Sequence, residues 1–237
     1  MVKALANPWH DLPAEPPFVL PCDREAVDEY QRRVRHEAHR LVLERLPEPW
    51  VGDPWTATVL VLQLNPGYNP ARDDHVHART DYQEVVRSSL TRRRLDTPFY
   101  FLDPRFADSG GHDWCRQRNH WAIRRVGVEV VSKQLAQVEW FPYRSPRGGR
   151  LPKLPSQRYS IELVRRAIER NAVMIATRKI DEWEAAVPEL VGYPRRLGTA
   201  SWQNVALSPG NLTIGGTKTT DAFELYVQAL SNGATSA

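Results

Sequence analysis

From Ala57 to Leu64 the chain reads ATVLVLQL, the almost unbroken apolar run of a parallel strand buried on both faces. It stops abruptly at Asn65-Pro66-Gly67, a turn at a strand's carboxyl end. Similar runs predict strands over 134–140, closing on Phe141-Pro142-Tyr143, and over 172–176, with a last strand at 204–207. Elsewhere the period is helical. Val27, Tyr30, Val34, Ala38, Val42 and Leu46 recur on one face behind Asp23 as N-cap, predicting a helix over 24–46 that Pro47 and Pro49 stop. Further helices are predicted over 80–91, over 113–125 with Trp114 and Trp121 as core, after Ser160 as a cap, over 180–187, and after Thr220 as the last cap. Strands alternating with helices predict an α/β fold, a three-layer α/β/α sandwich around a central, mostly parallel sheet. The Pro-rich segment 1–22 predicts an extended surface arm, and 23–232 one domain without repeats or linker.

Composition narrows the partners only a little. Lys plus Arg exceed Asp plus Glu by 32 to 28, which permits a polyanion without requiring one. Cys22 and Cys115 have no CxxC spacing, so neither a zinc knuckle nor a four-cysteine cluster can be built from them, and a reducing setting is expected. The amino terminus lacks the apolar stretch of a signal peptide, and no apolar run approaches the ~20 residues of a membrane span. A soluble, cytoplasmic, cofactor-free monomer is expected. GxxxxGK and GxSxG are both missing, which disfavours nucleoside-triphosphate and serine-elbow chemistry.

Ligands of open parallel sheets bind beyond the carboxyl ends of the strands. Three such ends carry unusual residues: Asn65-Pro66-Gly67, Glu139-Trp140-Phe141-Pro142 and Ser208-Pro209-Gly210-Asn211. Together with Thr97-Pro98-Phe99-Tyr100, and in this order, they resemble the uracil-DNA glycosylase superfamily, most closely its mismatch-specific and single-strand-selective monofunctional branches. The resemblance spans roughly residues 57–230 in outline and rests on short motifs. It implies a monofunctional enzyme that extrudes a base from DNA, stacks it, reads its edge and hydrolyses its bond to the sugar. Asn65 would position the attacking water, Phe99 would stack the base, and Tyr68 or Tyr100 would close the pocket. Pro66 and Gly67, Trp140, and the turn from Ser208 through Pro209 and Gly210 to Asn211 would contact base or backbone.

The chain departs from that pattern twice. Ala206 stands where the single-strand-selective branch has a histidine that stabilises the departing base. Glu139 stands where the family has a base-reading asparagine. A carboxylate only accepts hydrogen bonds, so it favours an exocyclic amine over the O4 of uracil and points to a modified or mispaired amino-bearing base. DNA repair and defence against phages with modified DNA are settings for such an activity. The segment 68–96 is longer than the family's usual connection, and Asp73, Asp74, His75 and His77 in it are candidates to extend the pocket.

Blander readings stand beside these. Phe99 is equally a core residue, Glu139 equally a solvent-facing partner of Arg144, and the Asp-Asp-His-x-His run a polar surface loop. Arg92-Arg93-Arg94 with Arg144, Arg147 and Arg150 is a solvated face or a phosphate track. His36 and His39 do not have zinc-protease spacing. Two rival functions remain open: a catalytically silent nucleic-acid-binding module of the same fold, and a metal-dependent hydrolase using Asp73, Asp74, His75 and His77.

Overall fold

The computed structural model describes residues 5–201, 203–204 and 206–235. In chain order its main elements are α1 (Arg24–Arg33), β1 (Trp50–Val51), β2 (Val59–Gln63), α2 (Pro70–His77) and α3 (Thr80–Leu90). There follow α4 (Gly110–Arg118), α5 (His120–Val126), α6 (Val128–Gln134), β3 (Leu135–Glu139), α7 (Gln157–Glu169), β4 (Val173–Ala176) and α8 (Ile180–Ala186). The chain closes with β5 (Arg196–Thr199), β6 (Leu212–Ile214), β7 (Thr217–Lys218) and α9 (Thr220–Thr235). The sheet runs β1-β3-β2-β4-β5-β6-β7, with β3, β2, β4 and β5 parallel and β1, β6 and β7 antiparallel at the edges. Every residue of β2, β3 and β4 is buried, as the unbroken apolar runs required. Helices α5, α6 and α9 pack on one another over one face. The connections through α7 and α8 run the opposite way across the sheet, and right-handed crossovers put them on the other face. The architecture is therefore α/β with three layers. Among the described residues no helix is long and apolar enough to cross a membrane.

Several local expectations are corrected. The helix expected over 24–46 stops at Arg33. Beyond it, Val42 N–H donates to Arg144 O (2.9 Å), Glu48 N–H to Pro142 O (3.0 Å), and the Gln31 side chain binds Leu41 at both N–H and C=O. Tertiary hydrogen bonds outbid the helical period there. Asp23 caps nothing with its side chain; buried, it accepts from Tyr143 Oη (2.8 Å) and Ser156 N–H (3.0 Å). Residues 73–77, for which the blander reading is a polar surface loop, lie in α2, whose first turn is capped by Asn69 with Pro70 behind it. Helix 113–125 is two helices meeting at Asn119, and Trp114 and Trp121 are exposed rather than core. Ser160 lies inside α7, and Thr219, not Thr220, accepts from the first turn of α9 through its hydroxyl. No strand forms at Asn204, Ala206 or Leu207 (Val205 is outside the described residues), and the Gly-containing RLGT strand at 196–199 went unforeseen. The amino-terminal arm is no surface strap: Trp9, Phe18 and Leu20 belong to the main core.

Candidate functional site

A cleft of about 540 Å³ opens beyond the carboxyl ends of β2 and β3, within the ~300–1,000 Å³ usual for small-molecule sites. Its floor follows from strand register. Gln63 pairs with Glu139 across parallel β2 and β3, and Gln137 lies two residues before Glu139, so the three side chains share one face of the sheet. All three are buried and line the cleft. Gln137 Nε2 donates to Glu139 Oε1 (3.3 Å), while Glu139 Oε2 is buried and has no hydrogen-bond partner among the described residues. Gln63 lies between the Arg118 guanidinium and Thr177 Oγ1 (3.2 Å), and the amide orientation that satisfies both turns its oxygen to Arg118 and its nitrogen to Thr177. Burial pushes the Glu139 carboxyl up to about 8; nearby Arg118 and Arg144 pull it down and Glu48 pushes it further up. Glu139 is thus neither solvent-facing nor paired with Arg144, and at neutral pH it keeps its proton.

One wall is the turn after β2. Asn65, Pro66, Gly67 and Tyr68 all line the cleft. Asn65 Nδ2 donates to Ser145 Oγ (2.9 Å) and Pro66 O (3.2 Å), and Ser145 Oγ donates onward to Arg147 O (3.1 Å). That chain fixes which way the amide points. Among the described residues no donor reaches Asn65 Oδ1. Behind the turn sits a buried ion pair, Arg144 with Glu48, with Tyr82 Oη donating to Glu48 Oε1 (2.6 Å). Arg144 also donates to Leu46 O (3.2 Å) and to Gly67 O (3.0 Å), so the pair latches the turn to the body. Gly148 lies so close over Leu64 and Asn65 that a Cβ would fall 2.4 Å from Leu64 Cδ2.

The opposite wall comes from α4: Gly110, Gly111 and Trp114, with Phe101 behind them. Trp114 rests on the guanidinium of Arg118, 4.7 Å from ring centroid to Cζ, and Arg118 is itself buried.

The motif residues do not all meet here. Asn65, Pro66, Gly67, Tyr68, Asp73, His77 and Glu139 share the cleft; Phe99, Tyr100, Trp140 and the turn of Ser208, Pro209, Gly210 and Asn211 do not line it. Phe99 and Tyr100 are core side chains, 1% exposed each, and Phe101 takes the cleft-facing place. Trp140 packs edge-on against Trp183 (5.0 Å). Asn211 spends its amide on Asn204 O (2.6 Å) and Ala206 O (2.8 Å), tying up its own loop, which Leu207 N–H docks to Arg118 O (3.0 Å). Comparison with family models, with curated proteins and with solved structures finds no match for this chain.

Nor do the four polar residues of α2 converge. Asp73 accepts from Asn69 N–H (2.7 Å) and Gly110 N–H (3.1 Å), joining the starts of α2 and α4. Asp74 binds Arg45 (2.7 Å) and the Tyr68 hydroxyl, and exposed His75 meets Asp108 (3.0 Å). His77 is buried between the Tyr68 and Tyr82 rings, and burial lowers its pKa far enough to keep it neutral. Among the described residues no group of three or more His, Cys, Asp or Glu side chains is placed to share a metal ion. The arginine track is likewise dispersed: Arg144 is committed to Glu48, while Arg92, Arg93 and Arg94 border a separate depression with Asp53 and Glu129. The signals that mark the floor were legible. Gln63, Gln137 and Glu139 interrupt apolar strand runs on one face, and a polar residue there has to be answered or used. Nothing in the sequence marked Arg118.

Proposed function

We propose that the protein is a monofunctional DNA glycosylase that excises a flipped, modified or mispaired base bearing an exocyclic amine. The observation that carries this reading is the Glu139 carboxyl: buried at the floor of a base-sized cleft, neutral at pH 7, with Gln137 on one oxygen and the other oxygen unpartnered. A neutral carboxyl both donates and accepts. That pair of roles fits the N3–H and O4 of uracil as well as a ring nitrogen beside an exocyclic amine, but only the second edge has an unprotonated ring nitrogen that can take the Glu139 proton. As the bond from C1′ to the base breaks, the electron pair leaves into the base and the Glu139 proton moves to the ring nitrogen, so a neutral base departs. Glu139 thereby takes the part that Ala206 does not play. Water, oriented by Asn65 Oδ1, forms the new C1′–O bond and gives its proton to solvent. The resulting carboxylate is reprotonated from water after the base leaves.

The test incubates purified protein, in EDTA, with oligonucleotides carrying a panel of modified cytosines and adenines, and scores abasic sites by alkali cleavage. Release from at least one amino-bearing base is expected. Asn65→Ala should retain DNA binding and lose release, because the amide acts on the water and not on the strand. Release that needs a metal, or that survives Asn65→Ala at full rate, would break the assignment.

A further inference from the structure

We infer that the outer face of α4 and α5 is a track for an unpaired nucleic-acid strand, with Trp114 and Trp121 each stacking on a base. The inference rests on the base-excision reading of the cleft and extends it to the nucleotides beside the extruded one. At the junction Asn119 N–H closes α4 on Cys115 O (3.0 Å) and Ile123 N–H opens α5 on Asn119 O (2.9 Å), so the two helices meet at one shared residue. Positions 114 and 117 on α4, and 121 and 124 on α5, are all exposed, each pair three apart on its own helix. Amphipathic patterning asks for polar residues on such a face. Instead it carries two tryptophans, 40% and 47% exposed, while Trp9, Trp50 and Trp183 are sealed in the core.

This face begins at the cleft. Trp114 lines its mouth, and its ring is held from beneath by the Arg118 guanidinium, which Gln63 anchors in turn. An indole fixed on a buried cation is a preorganised stacking surface. Trp121 stands outside the cleft, edge-on to His120 (6.0 Å). Charge agrees with an anionic occupant: Arg116 and Arg124 are exposed and have no carboxylate partner among the described residues, and Arg72 neutralises Asp113. In a duplex the base faces are covered, so this face selects an unpaired strand.

Fluorescence anisotropy tests this with a fluorescein-labelled 15-mer of ordinary mixed sequence, alone and annealed to its complement, in 100 mM NaCl. The wild type should bind the single strand at least tenfold more tightly than the duplex. Trp121→Ala should lose about tenfold in single-strand affinity, Trp121→Phe no more than about threefold, and Val191→Ala, an exposed apolar control, nothing. Equal binding of strand and duplex, or a Trp121→Ala protein that binds like wild type, overturns the track, including the case in which the face serves another protein. The DNA is undamaged, so failure to release any base would sink the glycosylase reading without touching this result.

Discussion

Glu48 and Glu139 are both nearly as buried as core leucines, yet their surroundings differ in kind. In the latch behind the Asn65 turn, Glu48 has an arginine against its carboxylate and a tyrosine hydroxyl on one oxygen, and the arginine spends further donors on two backbone carbonyls. On the cleft floor, Glu139 has a single amide contact, an unpartnered oxygen and a raised pKa. A buried charge that is answered holds a structure together, and a buried polar group left open carries a cost that a ligand can relieve. The same contrast divides the motifs: Asn65 keeps an oxygen that no donor among the described residues reaches, whereas Asn211 spends its amide on its own loop.

The comparison is sharpest at Glu139 itself. Glu139→Gln should cut base release by about 10²–10⁴-fold in the alkali assay, since an amide has no proton to give. The same variant should be more stable than wild type in urea melts at pH 8. Folded Glu139 titrates near 8 against an ordinary value of 4.5, so the unfolded chain sheds its proton first as pH rises. Stability is then lost between about pH 4.5 and 8, by up to about 4 kcal/mol, and the advantage of glutamine grows across that window. A variant no more stable at pH 8 than at pH 4.5, relative to wild type, would mean that the carboxyl is ionised in the folded protein. Base release by the wild type should correspondingly fall as pH passes about 8.

Breaking the latch should do the opposite. Glu48→Ala leaves the Arg144 guanidinium buried without its counter-charge and should cost about 3–5 kcal/mol of stability. If denaturant melts show less than about 1 kcal/mol, the pair is not what holds the turn. The smallest effect belongs to Ser145, which only orients Asn65. Ser145→Ala should lower base release about tenfold with stability changed by no more than about 1 kcal/mol, and Ser145→Thr should restore most of the rate, because its hydroxyl can repeat both hydrogen bonds. Loss of stability in step with loss of rate would make Ser145 a structural residue instead.

Strands β2, β3 and β4 could be read from the chain because central parallel strands are apolar on both faces, and that pattern depends little on what packs against them. The Asn65 turn followed from it. Segment 34–49 could not be read in this way. Its apolar residues fit a helical period, but its backbone bonds to Phe18, Glu139, Pro142, Arg144 and Arg147, far away in the chain. Phe99 and Phe101 differ by two positions in a 3₁₀ turn, and local sequence does not say which ring faces the core and which the cleft.

What the amino-acid sequence determined by itself was the α/β class, the order of its central strands in the chain, and Glu139 as a polar residue at a strand's carboxyl end. These depend on local periodicity and on the cost of placing a polar side chain in an apolar run. The tertiary structure alone decided that Glu48 is answered and Glu139 is not, that Asp73, Asp74, His75 and His77 point to different partners, and that two tryptophans stand in solvent beside a cleft. Each of those outcomes turns on hydrogen bonds and contacts between residues far apart in the chain, whose energies no local pattern encodes.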